Sequence, residues 1–237
     1  REWFYLAALA LAGVALFFWR LGAAGLMDPD EGRYAEIARE IWVLNDWLIP
    51  HLNSLRYLEK PPLTYWLTAL SFGGLGYTEC AARLPAALSA LGGVFLAYGL
   101  GRALWGPGPA FASALVLATS AGYLALGRLL TLDMTFALFL NLALGLGYLA
   151  LSRERPSWWP WAYLALGLAV LVKGPVALVL AGLIWAGWAL LSRRPLAFLV
   201  QPRAWLLFLA VSLPWFVWVE WRYPDFFRFF ILEQHVA

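Results

Sequence analysis

Charge is the scarcest ingredient of this sequence. Only 13% of its 237 residues are Asp, Glu, Lys or Arg, while 63% are hydrophobic. A soluble domain has roughly 25% charged and about 45–50% apolar residues, so the composition excludes an ordinary soluble protein and points to a membrane one. Cysteine is nearly absent, and Cys80, with no second cysteine to meet, excludes an internal disulfide. Basic runs are missing as well: the net charge of +3 is not gathered into the Lys/Arg footprint of a nucleic-acid binder. No HExxH, cysteine cluster or GxxxxGK[ST] loop occurs, and spacing marks no Ser-His-Asp set.

What the chain has instead is long apolar runs edged by aromatics. The 15 Trp and 10 Tyr suit a bilayer, where their amphipathic rings favour the headgroup zone. The opening "REWFYLAALALAGVALFFWRLG" lacks the small-residue cleavage site of a signal peptide and is long enough to cross, so it is taken as the first span. The start at Arg1 without Met, and the stop at Ala237 after a charged segment, are taken to mean a fragment of something larger. A polar interval follows, from Gly22 to Lys60. Within it "DEGRYAEIAREIWVLNDWL" places Tyr34, Ile37, Ala38, Ile41, Trp42 and Leu44 near helical spacing, which predicts an amphipathic helix along the membrane surface. The next apolar run, 61–76, starts at Pro-Pro and ends in "GGLG", and is short for a span of roughly 20 residues.

Basic residues decide the threading. If 61–76 does not cross, the spans are about 3–19, 81–101, 109–127, 134–151, 158–172, 175–191 and 205–220. Arg1, Arg102, Arg153, Arg155, Arg193, Arg194 and Arg203 then all fall on one side, as the positive-inside rule requires. If 61–76 crossed, the later basic loops would part from Arg1. The non-crossing arrangement is therefore preferred. It gathers the loop 22–80, the turn "GRLLTLD", Lys173 and the tail with His235 on the outer face.

Each polar residue there has a structural account and a chemical one. Asp30 could cap a helix with acids in its first turn, or act as a carboxylate base. Asp133 could cap the next span, or act chemically. Glu59 and Lys60 could simply flank an apolar run, with Lys60 snorkelling. Alternatively Lys60 holds a phosphate as a point charge and Glu59 serves as a metal ligand or acid/base. The two prolines after the pair fix its turn. Arg128 is a cation at the same surface, and Lys173 either snorkels or lines a polar cavity.

The ordered stretches "DPDEGRYAEIARE", "WLIPHLNSLRYLEKPPLTYWL", "AARLPAALSAL", "GRLLTLDMTFALF", "LVKGPVALVL" and "LPWFVWVEWRYPDFFRFFILEQHVA" resemble a family of membrane glycosyltransferases. It is the aminoarabinose transferase branch of the dolichyl-phosphate-mannose-protein mannosyltransferase-like enzymes. The resemblance covers nearly the whole chain. It implies an all-α, polytopic transmembrane bundle of the GT-C type, with amphipathic juxtamembrane helices in the first outer loop, and further spans and a soluble domain beyond residue 237. It implies sugar transfer from a polyprenyl-phosphate donor, with inversion, to a lipid A-like glycolipid, a protein or a cell-wall glycan. The expected setting is the bacterial inner membrane, with the site facing the periplasm. By the same resemblance Asp30 and Asp133 are catalytic, and Arg33, Tyr34, Tyr57, Lys60 and Arg128 bind substrate. Glu59 and His235 would hold a divalent metal, Zn, Mg or Mn. Asn53-Ser54 stands where Asn-Gly is more usual in the family.

The partners expected are the lipid-linked sugar, its acceptor and membrane lipids, and no nucleic acid. Two other functions compete: a transporter or flippase, and a non-catalytic assembly subunit. A transporter would carry ionisable groups in mid-span, whereas here they concentrate outside the spans.

Overall fold

The structure, a computed structural model, describes residues 2–153, 155–193 and 199–233, the last three by their backbone alone. Ten α-helices run through the described residues: α1 Glu2–Gly13, α2 Asp30–Val43, α3 Leu63–Leu75, α4 Glu79–Trp105, α5 Pro107–Thr119, α6 Ala121–Leu126, α7 Leu132–Ser152, α8 Trp159–Lys173, α9 Val176–Leu191 and α10 Pro202–Arg222. A π-helical turn, Val14–Phe18, continues α1, and two-residue strands β1 His51–Leu52 and β2 Leu55–Arg56 flank a turn at Asn53 and Ser54. The fold is all-α, as the resemblance implied.

Three helices, α4, α7 and α10, are long and apolar enough to cross a membrane, and Glu2–Phe18, α5 and α9 are shorter apolar helices. The 13-residue α3 reaches about 20 Å, short of a hydrocarbon core of about 30 Å. One expected span is broken. The run 109–127 is not continuous: Ser120 adopts an extended conformation (φ −68°, ψ 132°), ending α5 and starting α6. Its hydroxyl donates to Leu117 O at 2.8 Å instead of continuing the helix.

The chain divides into two compact units. The first comprises Arg1–Trp47, His51–Ser54 and Thr64–Leu138. Its centre is the α4–α5 pair. Thr78 caps α4, its hydroxyl accepting Ala81 N–H at 3.2 Å, and Gly106 ends α4 at φ +86°, a conformation open to glycine. Pro107 then opens α5 where its missing N–H costs nothing. Ala110, Ala114 and Ala118 form a fully buried stripe at helical spacing, in one core with Ala86, Ala87, Ala90 and Val94 of α4. A Cβ on Gly101 would come within 3.1 Å of Ala110 Cα, so the two backbones nearly touch. Small residues allow this close van der Waals packing, which lipid-exposed helices need because apolar burial alone does not drive them together. Leu9 and Phe17 from the first helix close the same core. At the membrane-surface end, the Trp42 indole donates to Ala69 O at 2.6 Å and lies against Gly73, locking α2 to α3.

The second unit comprises Leu48–Pro50, Leu55–Leu63 and Phe139–Ala237. α8 is its buried centre, with Ala162, Tyr163, Ala165, Leu166, Ala169 and Val170 all buried. α10 crosses α8 at Gly167, where a Cβ would sit 3.3 Å from Phe208 O. Trp185 of α9 stacks on Tyr163 at 5.8 Å and covers Gly147 of α7. Near the end of α10, Trp215, Phe216, Phe226 and Phe230 pack as an aromatic cluster.

Candidate functional site

In the first unit the polar residues gather around the start of α2. Asp30 is the first helical residue; Pro29 occupies the cap position, and no side chain caps the turn. The N-cap account of Asp30 is therefore corrected, because the helix begins one residue earlier than a cap at 30 would require. Asp30 and Glu31 still lie in the first turn, where the helix dipole favours acids. Asp133 is likewise the second residue of α7 and not its cap. Both aspartates are solvent-exposed.

Arg33 lies one helical turn beyond Asp30, with its Nη1 3.9 Å from Asp30 Oδ1 and both side chains substantially exposed. A pair this open contributes about 0–1 kcal/mol to stability. A cleft of about 340 Å³ opens here between α2 and the β1 turn, lined by Asp28, Gly32, Arg33, Glu36, Leu52 and Asn53. A second cleft, of about 240 Å³, adjoins it at Gly32 and Glu36 and is walled by Leu26, Ala35, Phe72 and Tyr77 with Arg39 and Glu79 on its polar side. Arg39 grips Glu36 through two bonds of 2.8 and 2.7 Å, and this holds the Glu36 carboxyl below its usual range. Tyr34 packs its ring 5.8 Å from that of Tyr65.

Two acids of α2 point inward, which the amphipathic pattern did not foresee. Glu40 is buried and its carboxylate accepts Ser54 N–H at 3.0 and 3.1 Å. That anchor holds the turn in which Asn53 (φ 55°) and Ser54 (φ 63°) are both left-handed. Glycine is the residue that enters this region without strain, so Ser54 holds a conformation its Cβ disfavours.

Glu31 is 3% exposed and meets Arg83 of α4, also 3% exposed. Arg83 Nε and Nη2 each reach a different carboxylate oxygen at 2.8 Å. Leu130 N–H donates to the same carboxylate at 2.7 Å and Met27 N–H at 2.9 Å. Burial pushes the Glu31 pKa up, but Arg83 and the two amides outweigh it and hold the carboxyl below its ordinary 4.5. A depressed folded value means that the carboxylate adds stability fully above about pH 4.5 and loses it as the pH falls through the folded value. Acid titration of melting temperature is thus expected to fall more steeply in the unsubstituted protein than in Glu31→Gln. Equal slopes would show that Glu31 does not carry the acid response.

Arg128 is committed to backbone: it donates to Leu16 O at 2.7 Å and Trp19 O at 2.8 Å, tying the 127–131 turn to the end of the first helix. His51 lies with Nδ1 3.9 Å from Asp46 Oδ2.

The Glu59-Lys60 turn belongs to the second unit. Buried Tyr57 donates its hydroxyl to Glu59 Oε2 at 3.0 Å and its amide to Pro50 O at 2.8 Å. The Trp215 indole holds Leu48 O at 2.8 Å, and the Arg56 guanidinium stacks 4.2 Å over the Tyr223 ring. These contacts fix the segment that presents Glu59 and Lys60, both half-buried. Lys173 ends α8, with Gly174 (φ 75°) terminating the helix. His235 lies outside the described residues. Among the described residues no three His, Cys, Asp or Glu side chains gather to hold a metal, and Glu59 accepts the Tyr57 hydroxyl on one of its two oxygens.

Apolar helices packed on small residues, with acids, arginines and a lysine presented from short polar segments, define a polytopic membrane protein. The chain belongs to the dolichyl-phosphate-mannose-protein mannosyltransferase family, whose sequence model matches residues 59–221. It is 36% identical over 241 residues to the undecaprenyl phosphate-alpha-4-amino-4-deoxy-L-arabinose arabinosyl transferase of Pseudomonas savastanoi pv. phaseolicola, covering 97% of this chain and 44% of that protein. To the arabinosyl transferase of the same name from Edwardsiella ictaluri it is 33% identical, over 99% of this chain and 43% of that protein. The crystal structure of ArnT from Cupriavidus metallidurans bound to undecaprenyl phosphate superposes with a TM-score of 0.91 at 30% identity, covering 98% of this chain and 44% of that one. Its apo state gives 0.88. The fold is thus the GT-C transmembrane type, and the chain spans somewhat under half the length of these relatives.

Proposed function

We propose that this chain forms the membrane portion of a glycosyltransferase that moves a sugar from a polyprenyl-phosphate carrier to an acceptor. One observation carries the reading: the backbone follows that of an ArnT bound to undecaprenyl phosphate over nearly its whole length. The acceptor assigned is a lipid A-like glycolipid. The setting is a bacterial inner membrane with the site open to the periplasm, which agrees with the short basic loops at Arg102, Arg153–Arg155 and Arg193–Arg203 falling on the side opposite to Asp30 and Lys60.

The chemistry follows from charge. Breaking the bond between the anomeric carbon and the carrier phosphate leaves positive character on the sugar and negative charge on the phosphate. Lys60 is the cation assigned to that phosphate, stabilising charge that grows as the bond breaks, and Arg33, beside Asp30, is assigned to substrate binding. Asp30 is the exposed carboxylate assigned to the acceptor oxygen, orienting it or taking its proton. One base and a single displacement invert the anomeric carbon, so no covalent sugar-enzyme intermediate forms. Asp133 is assigned to catalysis with Asp30, and Tyr34 to substrate contact; Tyr57, expected to bind substrate, is buried and donates its hydroxyl to Glu59, so its role passes through that carboxylate. Arg128 contributes through its hold on the first helix.

The test is transfer by the full-length protein in proteoliposomes, supplied with a panel of polyprenyl-phosphate sugars and of nucleotide sugars. Transfer from at least one lipid-phosphate donor is expected. Transfer from nucleotide sugars alone would overturn the reading.

A further inference from the structure

We infer that Glu31 and Arg83 form a buried clasp that positions the two polar segments of the first unit, making both positioning residues for the reaction proposed above. The inference rests on that reading for its catalytic consequence and on geometry for the rest. Every N–H of the Arg83 guanidinium is used. Nε and one Nη2 hydrogen go to Glu31, the two Nη1 hydrogens go to Leu21 O and Ala24 O at 3.1 and 2.8 Å, and the second Nη2 hydrogen goes to Gly25 O at 2.8 Å. Glu31 in turn accepts four bonds, two from Arg83 and one each from the Leu130 and Met27 amides. One ion pair therefore ties three pieces of chain: the loop 21–27, the start of α2, and the turn 127–131.

Those pieces carry Asp30 and Arg33 on one side and Arg128 and Asp133 on the other. Asp30 is Glu31's immediate neighbour, and Leu130 lies midway between Arg128 and Asp133. The clasp faces inward while Asp30 faces out, so the inner acid fixes the backbone from which the outer acid works. The planar fork of arginine is what makes this possible. A lysine could neutralise Glu31 but could not reach its two oxygens and three carbonyls in one plane. Likewise an aspartate keeps the charge but falls short of Leu130 and Arg83 together. A positioning error on the order of 1 Å costs about 10²-fold in rate, with substrate affinity little changed.

The test uses the full-length protein in nanodiscs, with Cys80→Ser and spin labels on cysteines placed at Ala23 and Ala125, both exposed. Glu31→Asp and Arg83→Lys are compared with the unsubstituted chain, each checked for monodispersity. A broadened label-to-label distance is expected in both variants. Transfer kcat is expected to fall about 10²-fold while donor KM stays within about threefold. A distance distribution as narrow as the parent's, or a kcat within about threefold of it, overturns the inference. If neither variant is monodisperse, the pair is a folding element and the positioning role is overturned. Absence of transfer in the parent sinks the reaction reading, and the label distance alone then decides whether the clasp holds the segments.

Discussion

Arg83→Leu is expected to destabilise the first unit by about 3–5 kcal/mol, read as a lowered melting temperature in detergent and a poor yield of monodisperse protein. The size follows from what the substitution leaves behind. Glu31 stays buried at 3% exposure with its guanidinium gone, and a buried carboxylate without its partner is among the most costly single defects. The carbonyls of Leu21, Ala24 and Gly25 lose their donors as well. Removing the acid too, in Glu31→Leu/Arg83→Leu, is expected to recover part of the loss, since the stranded charge goes with it. Recovery stays incomplete. The amides of Leu130 and Met27 lose the carboxylate that accepts them, and each unpaired buried group costs about 1–3 kcal/mol. If the single substitution melts with the parent, the pair contributes nothing net. If the double variant is worse than the single, the stranded-charge account fails.

Neither half of this pair stood out in the sequence, and the reason is physical. Hydropathy patterning reads one element at a time, whereas Glu31 and Arg83 are 52 positions apart and each makes sense only against the other. Glu31 counted only among the acids of a first turn, and Arg83 entered only as part of the stretch "AARLPAALSAL". A signal was present: an arginine five residues into α4, among alanines, has to find an anion. Glu40 was hidden for a similar reason, because its partner is the backbone amide of Ser54, which carries no sequence mark. What could be read were features set by local chemistry. The apolar runs became helices, and the one that begins at Pro-Pro and ends near Gly76 (φ 74°) became the 13-residue α3. The run through Ser120 was misjudged as continuous, since hydropathy does not register a hydroxyl that turns back onto Leu117 O. The Glu59-Lys60 turn was legible as a motif, but its supports, Tyr57, Trp215 and Arg56 on Tyr223, were not.

Asp30→Asn and Lys60→Ala are expected to remove sugar transfer while leaving folding and insertion unchanged. The two halves of that expectation have different grounds. Stability is spared because the Asp30 side chain is 58% exposed and approaches Arg33 no nearer than 3.9 Å, a pair worth about 0–1 kcal/mol. Lys60 is half-buried and precedes Pro61 and Pro62, which hold the turn whatever the side chain. Activity falls because each residue is assigned to charge that develops only as the bond breaks. Loss of a positioned base costs about 10²–10⁴-fold in kcat, so Asp30→Asn should show an unchanged donor KM and a collapsed kcat. Loss of a cation on a phosphate removes a charge-assisted bond of about 1.5–3 kcal/mol, roughly 10–150-fold in kcat/KM, and Lys60→Arg should restore part of it. The split discriminates between roles: a Lys60→Ala defect confined to KM means that the lysine holds the carrier equally in ground and transition states. Full activity in both variants would remove Asp30 and Lys60 from the machinery and return the lysine to snorkelling beside an apolar run.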